Sequence, residues 1–475
     1  FSKSSKEVSM DNIILQKLIE WANEIEELTE SAEITDIDAI GTKILDCSKN
    51  ISLDILRSVI SKINRHVRND KIGRKDSGIV IKEKSIPRTV MLMIGELSYE
   101  RDYCYDKNAK RYFYPVDEIL SVEKYERIGK SVSAELVNKA TEYSYAKSAN
   151  IVTDGKVSRQ TVRNSILKIK VPEKQAKEMG KEVRELHIFA DEDHAHMQKP
   201  GKTKGKKNQI VPVVTVTEGI VAISTNRNAT VNAMHFVDEE FDAKRLWASV
   251  DGYISVAYSK ETLHKVYLHG DGGKWIKSGL NERGDVVRVM DGYHFWKRTR
   301  EISRMYPDAQ VRKRVRCSII NDDKRKLETI IQSLLCEAPE EKVYNRVKEY
   351  GKYLFSHYKE IRNRLVLDIP GSCTEGLVSH VLSSRFSRNP MGWSAKGLGT
   401  LSKSKVYVLN GGVLSAKDYR RSKVRRYSEY SKETINSICE KKYDWSIFEN
   451  ERAIMNCATG TQNAIKQIGR LGAVI

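Results

Sequence analysis

The stretch RELHIFADEDHAHM, residues 184–197, decides how the middle of this sequence is interpreted. Its first part, RELHIFAD (184–191), has the composition of a strand and runs directly into Asp191. The six positions from Asp191 to His196 then hold three carboxylates and two imidazoles. We therefore predict a strand that ends in a functional site.

The period of a strand sorts these five polar side chains onto two faces. Asp191 and Asp193 share one face, whereas Glu192, His194 and His196 lie on the other. A zinc site built from His194, His196 and Asp193 is the competing interpretation. It would need ligands from both faces, and the sequence offers no HExxH motif or cysteine pair to complete it. Asp191 is the predicted catalytic carboxylate, with Asp193 as the alternative.

The segments after this strand predict the fold. Strands are expected at 210–219 and 219–226, followed by a helix at 241–259 and two further strands at 265–271 and 286–292. This order is typical of an RNase H-like α/β core with a mixed five-stranded sheet.

A second and a third carboxylate extend the predicted site. Asp271 ends the fourth strand, which neighbours the first in an RNase H-like sheet, so Asp191 and Asp271 are expected to meet. A divalent cation relieves the repulsion between two such carboxylates. Glu375 follows Ser372 and Thr374, either of which could cap a helix, and it would complete a site for two Mg²⁺ or Mn²⁺ ions. Taken alone, Asp271 could be a turn residue and Glu375 a charge at a helix N-terminus.

The N-terminal part is predicted to be helical at 11–30 and 51–67, followed by a β-hairpin with a polar turn at 106–110 that ends before Pro115. Further on, a helix is expected at 132–149. A turn at Asp154-Gly155 and a second helix at 158–169 would complete a helix-turn-helix.

The second helix of this motif has a capping residue and two faces. Ser158 can cap it, and Val162, Ile166 and Ile169 would face inward. Its exposed polar face is expected to bind DNA and carries Arg159, Gln160, Thr161 and Arg163, followed by Asn164. An ordinary helical hairpin is the plainer alternative.

The charge indicates a polyanionic partner. The chain has 82 Lys and Arg against 63 Asp and Glu, a net charge of +19. Basic clusters occur at 201–207, 311–316 and 417–427. The cations of the last cluster are Lys417, Arg420, Arg421, Lys423, Arg425 and Arg426. None of these segments has a continuous apolar face, so nucleic acid is favoured over a membrane.

Seven scattered cysteines without a CxxC pair favour a reducing cytoplasm. The sequence has neither a signal peptide nor an apolar run of roughly 20 residues, the length needed to span a membrane. Position 1 is not Met, which is compatible with a fragment of a longer protein.

Four motifs in order resemble one known family. ADEDHAHMQ (190–198), HGDGGKWIK (269–277), MDGYHFWKR (290–298) and CTEGLVSHVLSSRFSRNPMGWS (373–394) look like the motifs of ISLre-type insertion-sequence transposases. That family was long known only as uncharacterised proteins and is similar to the Mutator-class DDE transposases. The resemblance covers most of the chain.

The resemblance implies an RNase H-like core with a DDE triad at Asp191, Asp271 and Glu375 that holds two Mg²⁺ (or Mn²⁺) ions. It also implies a supporting [C/D]xxH motif on the fifth strand, here Asp291 and His294. The expected activity is metal-dependent cleavage and transfer of DNA strands. The expected partners are double-stranded terminal inverted repeats and target DNA, bound by a homodimer or larger assembly in a bacterial or archaeal cytoplasm, at the nucleoid when bound.

Seven segments are therefore expected. They are a helical N-terminal region (1–80), a β-hairpin segment (81–127), a helix-turn-helix domain (128–182), the first part of the core (183–297), an all-helical insertion (298–368), the second part of the core with Glu375 (369–400) and a basic C-terminal region (401–475). A catalytically silent DNA-binding protein derived from a transposase, and a nuclease that only hydrolyses DNA, are the alternative functions.

Overall fold

The computed structural model describes residues 10–30, 36–173, 176, 178–198, 208–224, 227–369, 373–388 and 391–419. Contacts divide the chain at Ser133, so that Ala134–Tyr419 forms a unit of its own and the earlier described residues belong to the other. No helix in these ranges is long and apolar enough to cross a membrane.

The N-terminal unit combines helices with a three-stranded antiparallel sheet. Its elements are α1 (Met10–Glu30), α2 (Ile37–Asn69), α3 (Lys71–Asp76), β1 (Ile79–Leu92), β2 (Gly95–Asp106), β3 (Arg111–Phe113) and α4 (Pro115–Ile119). Both predicted helices and the hairpin are confirmed, and Pro115 is the first residue of α4. β1 was not predicted, because irregular pairing near Glu83 and a positive φ at Ser85 interrupt its alternation.

Three short helices begin the second unit. They are α5 (Lys130–Ala140), which crosses the unit boundary, α6 (Tyr145–Thr153) and α7 (Arg159–Lys168). The predicted continuous helix at 132–149 is wrong, because the chain turns after Ala140 and Ser144 caps α6 by accepting the Lys147 N–H. The turn at Asp154 and the Ser158 cap of α7 are confirmed.

A mixed five-stranded sheet forms the centre of the second unit. Its strands and those of a separate hairpin are β4 (Glu185–His196), β5 (Asn208–Thr217), β6 (Gly219–Ser224), β7 (Arg227–Val231), β8 (Met234–Phe236), β9 (Lys265–Gly270) and β10 (Val286–Met290). The order is β10-β9-β4-β5-β8; β4, β9 and β10 are parallel, and β5 is antiparallel to both of its neighbours. One face packs on α8 (Ala243–Ala257) through side chains such as Leu186, Ile188 and Leu268.

The prediction for the third strand of this sheet is wrong. Residues 219–224 pair with β7 in a two-stranded sheet, and the third strand of the main sheet is β8. β8 has only three residues, too few for a period of two to be visible in the sequence.

Helices fill most of the chain after the fourth strand. They are α9 (Lys274–Lys277), α10 (Gly292–Met305), α11 (Val311–Ile320), α12 (Lys324–Cys336), α13 (Glu341–Ser356), α14 (Tyr358–Val366), α15 (Thr374–Val378), a π-helical turn (Ser379–Ser383), α16 (Ser384–Phe386) and α17 (Ala395–Leu409). The predicted helical block at 298–368 is thus helical. Helices α10–α14, which we call the helical block, share an apolar core that includes Phe295, Leu327, Leu334, Leu354 and Ile361.

Candidate metal centre

Asp191 lies just beyond the point where the pairing of β4 with β9 ends. On one side β4 pairs with β9 only as far as Phe189, whereas on the other it pairs with β5 up to His196. The strand therefore does not end at Asp191, as predicted, but continues for five residues. Because the parallel pairing stops first, the Asp191 side chain is only partly buried.

Three side chains distant in sequence converge here. Ligand atoms of Asp191, His294 and Glu375 all lie within 4.8 Å of one another. Asp191 comes from β4, His294 from the first turn of α10 and Glu375 from the first turn of α15. This arrangement of two carboxylates and one imidazole can bind a divalent cation.

Asp271 lies beside this cluster without being part of it. It follows β9, and because Phe189 pairs with His269, the register places Asp271 next to Asp191. Its Oδ1 accepts a hydrogen bond of 2.8 Å from the Gly273 N–H. Of the predicted triad, Asp191 and Glu375 are thus brought together, and His294 is the third member of the cluster.

Helix α10 fixes the direction of His294. Asp291, the residue after β10, caps this helix, and its Oδ1 accepts the N–H groups of Tyr293 and His294 at 2.8 and 3.2 Å. His294 therefore belongs to a helix rather than to the fifth strand. A helix N-terminus with a buried carboxylate cap holds the side chains of its first turn in a fixed direction.

The electrostatics of Asp191 favour a cation. Burial raises the pKa of its carboxyl from 3.8 to about 6, and the charges of Asp271 and Asp291 add to this effect. The Glu192 N–H, which donates to Asp191 Oδ1 at 2.8 Å, and the imidazole of His294 act in the opposite direction on this pKa. The site thus concentrates negative charge that a bound metal ion would stabilise.

Aromatic and imidazole rings stack on β4 and β9, two residues before Asp191 and Asp271. Phe189 stacks on His269, with ring centroids 4.6 Å apart, and His269 Nε2 lies 3.1 Å from His187 Nδ1. Burial lowers the pKa of both imidazoles. The pair is therefore neutral near pH 7 and adds no charge beneath the site.

The helix that carries Glu375 starts without a side-chain cap. Cys373 is the N-cap residue and makes no capping hydrogen bond, and Thr374 is already helical, so the predicted cap at Thr374 is wrong. Ser372, the other predicted cap, lies outside the described residues. The π-helical turn directly after α15 is of a kind that often marks functional sites.

Asp193 holds this turn against the sheet. It is buried, and its Oδ1 accepts hydrogen bonds from Ser383 Oγ at 2.9 Å and Ser387 Oγ at 2.8 Å. The prediction that Asp193 faces away from His194 and His196 is confirmed, because both imidazoles are exposed. Asp193 is thus a positioning residue for the segment that presents Glu375.

Asp193→Asn is expected to keep most of the Mn²⁺ binding of the candidate site, because an Asn Oδ1 can accept both serine hydroxyls. Asp193→Ala leaves both hydroxyls without this acceptor, and we expect it to lower the free energy of unfolding by about 3 kcal/mol. Urea denaturation and Mn²⁺ titration of both variants would measure this. Loss of Mn²⁺ binding in Asp193→Asn, with binding retained in Asp191→Asn, would make Asp193 rather than Asp191 the metal-binding carboxylate.

The predicted DNA-binding residues are only partly described. On α7, Arg159 and Gln160 are exposed and Thr161 and Arg163 are half-buried, while Val162, Ile166 and Ile169 are buried as predicted. Lys417 is exposed. Arg420, Arg421, Lys423, Arg425 and Arg426, and the cluster at 201–207, lie outside the described residues.

The hydrogen-bond partners of Glu192 and Asp193 were not predicted from the sequence. The Trp275 indole donates to Glu192 Oε2 at 2.9 Å, and Ser383 and Ser387 bond Asp193. The serines are four residues apart, which puts them on one side of a helix and is the signal that could have indicated a shared acceptor.

The fold and site together define an α/β protein with a mixed five-stranded sheet and a carboxylate–imidazole cluster at its edge. The model of an uncharacterised protein family, UPF0236, matches residues 30–423, and this chain belongs to that family.

Similar proteins occur repeatedly in one organism. A UPF0236 protein of Caldanaerobacter subterraneus subsp. tengcongensis, whose name joins eleven locus numbers, is 31% identical over 453 residues, covering 90% of this chain and 94% of the relative. A second one from the same organism is 31% identical over 468 residues, covering 92% of each chain. A UPF0236 protein of Streptococcus gallolyticus is 22% identical over 449 residues, covering 90% of this chain and 94% of the relative.

Proposed function

We propose that this protein is a DDE-type DNA transposase that cleaves strands at the ends of an insertion sequence and joins them to target DNA. The observation that carries the proposal is the convergence of Asp191, His294 and Glu375 beside Asp271. The strand order, with the fourth strand between the first and the fifth, supports an RNase H-like core. In such a core the helical block is an insertion between the fifth strand and Glu375.

The donor set fits divalent cations. Two carboxylates and an imidazole within 4.8 Å, with the Asp271 carboxylate adjacent, suit Mg²⁺ or Mn²⁺. Asp191, Asp271 and Glu375 would hold two ions, with His294 as a further donor. Such ions, when bound, supply charge neutralisation at the phosphate and activation of the attacking oxygen.

The residues around the site would orient the nucleic acid. The left-handed φ of +89° at Gly272 turns the chain sharply after Asp271, and the exposed Arg159 and Gln160 of α7 would bind the terminal inverted repeats. The net charge of +19 supports a polyanionic partner. Two ends must be joined, so a dimer or larger assembly in the cytoplasm is part of the proposal.

The relatives are consistent with a mobile element. One relative's name joins eleven locus numbers of one organism, and others from that organism join four and two. Many related copies in one genome are what repeated transposition produces.

Cleavage and joining of labelled DNA tests the proposal, with ends taken from the DNA that flanks the coding region and with Mg²⁺ or Mn²⁺ present. We expect the wild type to release a 3′-OH and join it to a plasmid, and Asp271→Asn to lose both steps because a charged metal ligand is removed. Asp251→Asn is the matched control, since Asp251 pairs with Arg283 at 3.1 Å and its side chain is about half exposed.

The two alternatives give different results in this assay. A silent DNA-binding protein would shift the DNA in a gel without cutting it in either form. A nuclease would cut the DNA without joining, and the transposase proposal would then be wrong.

A further inference from the structure

Of the four buried polar atoms in the helical block that have no hydrogen-bond partner among the described residues, two belong to neighbouring rings. They are the phenol oxygen of Tyr353 and Nδ1 of His357. Tyr353 is only 8% exposed, and its ring centroid lies 5.2 Å from that of His357. Burying an unpaired polar atom is unfavourable, so a pair of them at one place indicates a ligand that is held there in the working protein.

This pair adjoins the loop of Asp271. A Cβ at Gly272 would lie 2.2 Å from His357 Cε1 and 2.5 Å from its Nδ1, so the imidazole packs directly on the bare backbone of this glycine. The charges of Asp271 and Asp291 contribute to the raised pKa of Tyr353, which places the phenol within electrostatic range of both carboxylates. The two unpaired atoms therefore lie close to the loop of Asp271, beside the candidate metal centre.

A cation lies near each of the two rings, Arg298 near Tyr353 and Lys277 near His357. The Arg298 guanidinium carbon lies 4.5 Å from the centre of the Tyr353 ring. Lys277 Nζ lies 3.5 Å from the Ser356 carbonyl oxygen, and its charge lowers the pKa of His357 in the same direction as burial does. Glu360, which lies 4.0 Å from Lys277 Nζ, and Asp271 act on the pKa of His357 in the opposite direction. A neutral imidazole and a phenol can each donate a hydrogen bond, and with the two cations beside these carboxylates they suit an anionic ligand.

We propose that Tyr353 and His357 form a contact site for a phosphodiester of the DNA strand that is cleaved beside Asp271. The inference rests on the proposed function, since it deepens the description of the same site. The phenol O–H and the imidazole N–H would each donate to a non-bridging phosphate oxygen, and Arg298, which lies over the Tyr353 ring, would supply positive charge nearby. The helical block would thus contribute directly to substrate binding.

Tyr353→Phe tests the proposal against Tyr350→Phe. Both tyrosines lie on α13, one turn apart, and each substitution removes one oxygen. The Tyr350 hydroxyl donates to Thr299 Oγ1 at 3.0 Å and is buried in the core of the block, so its loss should lower the Tm and leave cleavage within about twofold of wild type. Tyr353→Phe should leave the Tm unchanged or higher and slow cleavage about tenfold.

A second variant and a binding measurement complete the test. His357→Phe keeps the packing on Gly272 without the ring nitrogens, and we expect a further loss of cleavage and weaker binding of end-sequence DNA in fluorescence anisotropy. If the wild type cleaves and both variants cleave equally well, the phosphate site is wrong and the transposase proposal stands. The phosphate site is also wrong if Tyr353→Phe lowers the Tm as much as Tyr350→Phe does. A wild type that binds DNA without cleaving it would overturn both proposals.

Discussion

Asp191→Asn is expected to abolish strand cleavage and, without metal ions, to make the protein more stable at pH 8. The loss of activity should be about three orders of magnitude or more, since metal-ion catalysis contributes several kcal/mol to transition-state stabilisation. Stability increases because the Asp191 carboxylate is partly buried beside Asp271 and Asp291, which raise its pKa and make its ionised form unfavourable. An Asn at this position carries no charge.

The sign of the pH dependence follows from this raised pKa. An Asp in the unfolded chain has a pKa of 3.8, whereas that of Asp191 in the folded protein is about 6. The contribution of the protonated Asp191 carboxyl to the free energy of unfolding is fully present below pH 3.8 and is lost as the pH rises through about 6. Each pKa unit corresponds to about 1.4 kcal/mol, and after allowance for partial exposure we expect a loss of about 2 kcal/mol at pH 8.

Urea denaturation in EDTA at pH 4 and pH 8 measures this effect. Asp191→Asn should raise the free energy of unfolding by about 2 kcal/mol at pH 8 and change it little at pH 4. Mn²⁺ should raise the Tm of the wild type and not that of the variant. Asp251→Asn serves as the control, and an equal effect of Asp191→Asn at both pH values would contradict the electrostatic explanation.

The sequence was sufficient to predict those parts of the fold that have clear periodicity. The strands around Asp191 and Asp271, the helices α1, α2 and α8, and the capped helix α7 show a regular apolar pattern or a capping residue, and the structure has them. The prediction for the third strand of the main sheet failed. β8 is stabilised by pairing with β5 rather than by its own three residues, so local sequence carries little information about it.

Local sequence also predicts only part of the candidate site. Asp191 and Glu375 belong to motifs, and their placement follows from the elements that carry them. Asp193 could not be recognised as a positioning residue, because that role depends on Ser383 and Ser387, which come from a segment about 190 residues further along the chain. Such pairings are set by tertiary packing, which no local pattern encodes.

Arg385→Ala is expected to have the largest effect on stability among substitutions near the site. Arg385 is buried in α16, and its Nε donates to the carbonyl oxygen of Ala140, the last residue of α5, at 2.8 Å. Its guanidinium also lies 5.0 Å from the centre of the Trp393 ring and 5.8 Å from that of Tyr145. Loss of a charge-assisted hydrogen bond, of the ring contacts and of buried volume should together lower the free energy of unfolding by about 4 kcal/mol.

A buried cation without a carboxylate partner is normally unfavourable, and the end of α5 explains why this one is tolerated. Burial lowers the pKa of Arg385 to about 10, so it remains charged at neutral pH. The carbonyl groups at the C-terminus of a helix carry partial negative charge, and Lys405 Nζ also lies 3.4 Å from one of them, that of Thr141. The segment from Glu375 to α16 is thereby anchored to α5, the helix that precedes α6 and α7.

Arg388→Ala is the matched control, because Arg388 is exposed, lies three residues further on and bonds only the Ser379 hydroxyl among the described side chains. Its substitution should change stability by less than about 0.5 kcal/mol. Arg385→Met should recover part of the stability by filling the space between the rings, without restoring the bond to α5. If anchoring matters for the site, Arg385→Met will still bind Mn²⁺ more weakly than wild type does. A variant that folds stably and binds Mn²⁺ like the wild type would show that Asp193, with its two serines, is sufficient to position Glu375.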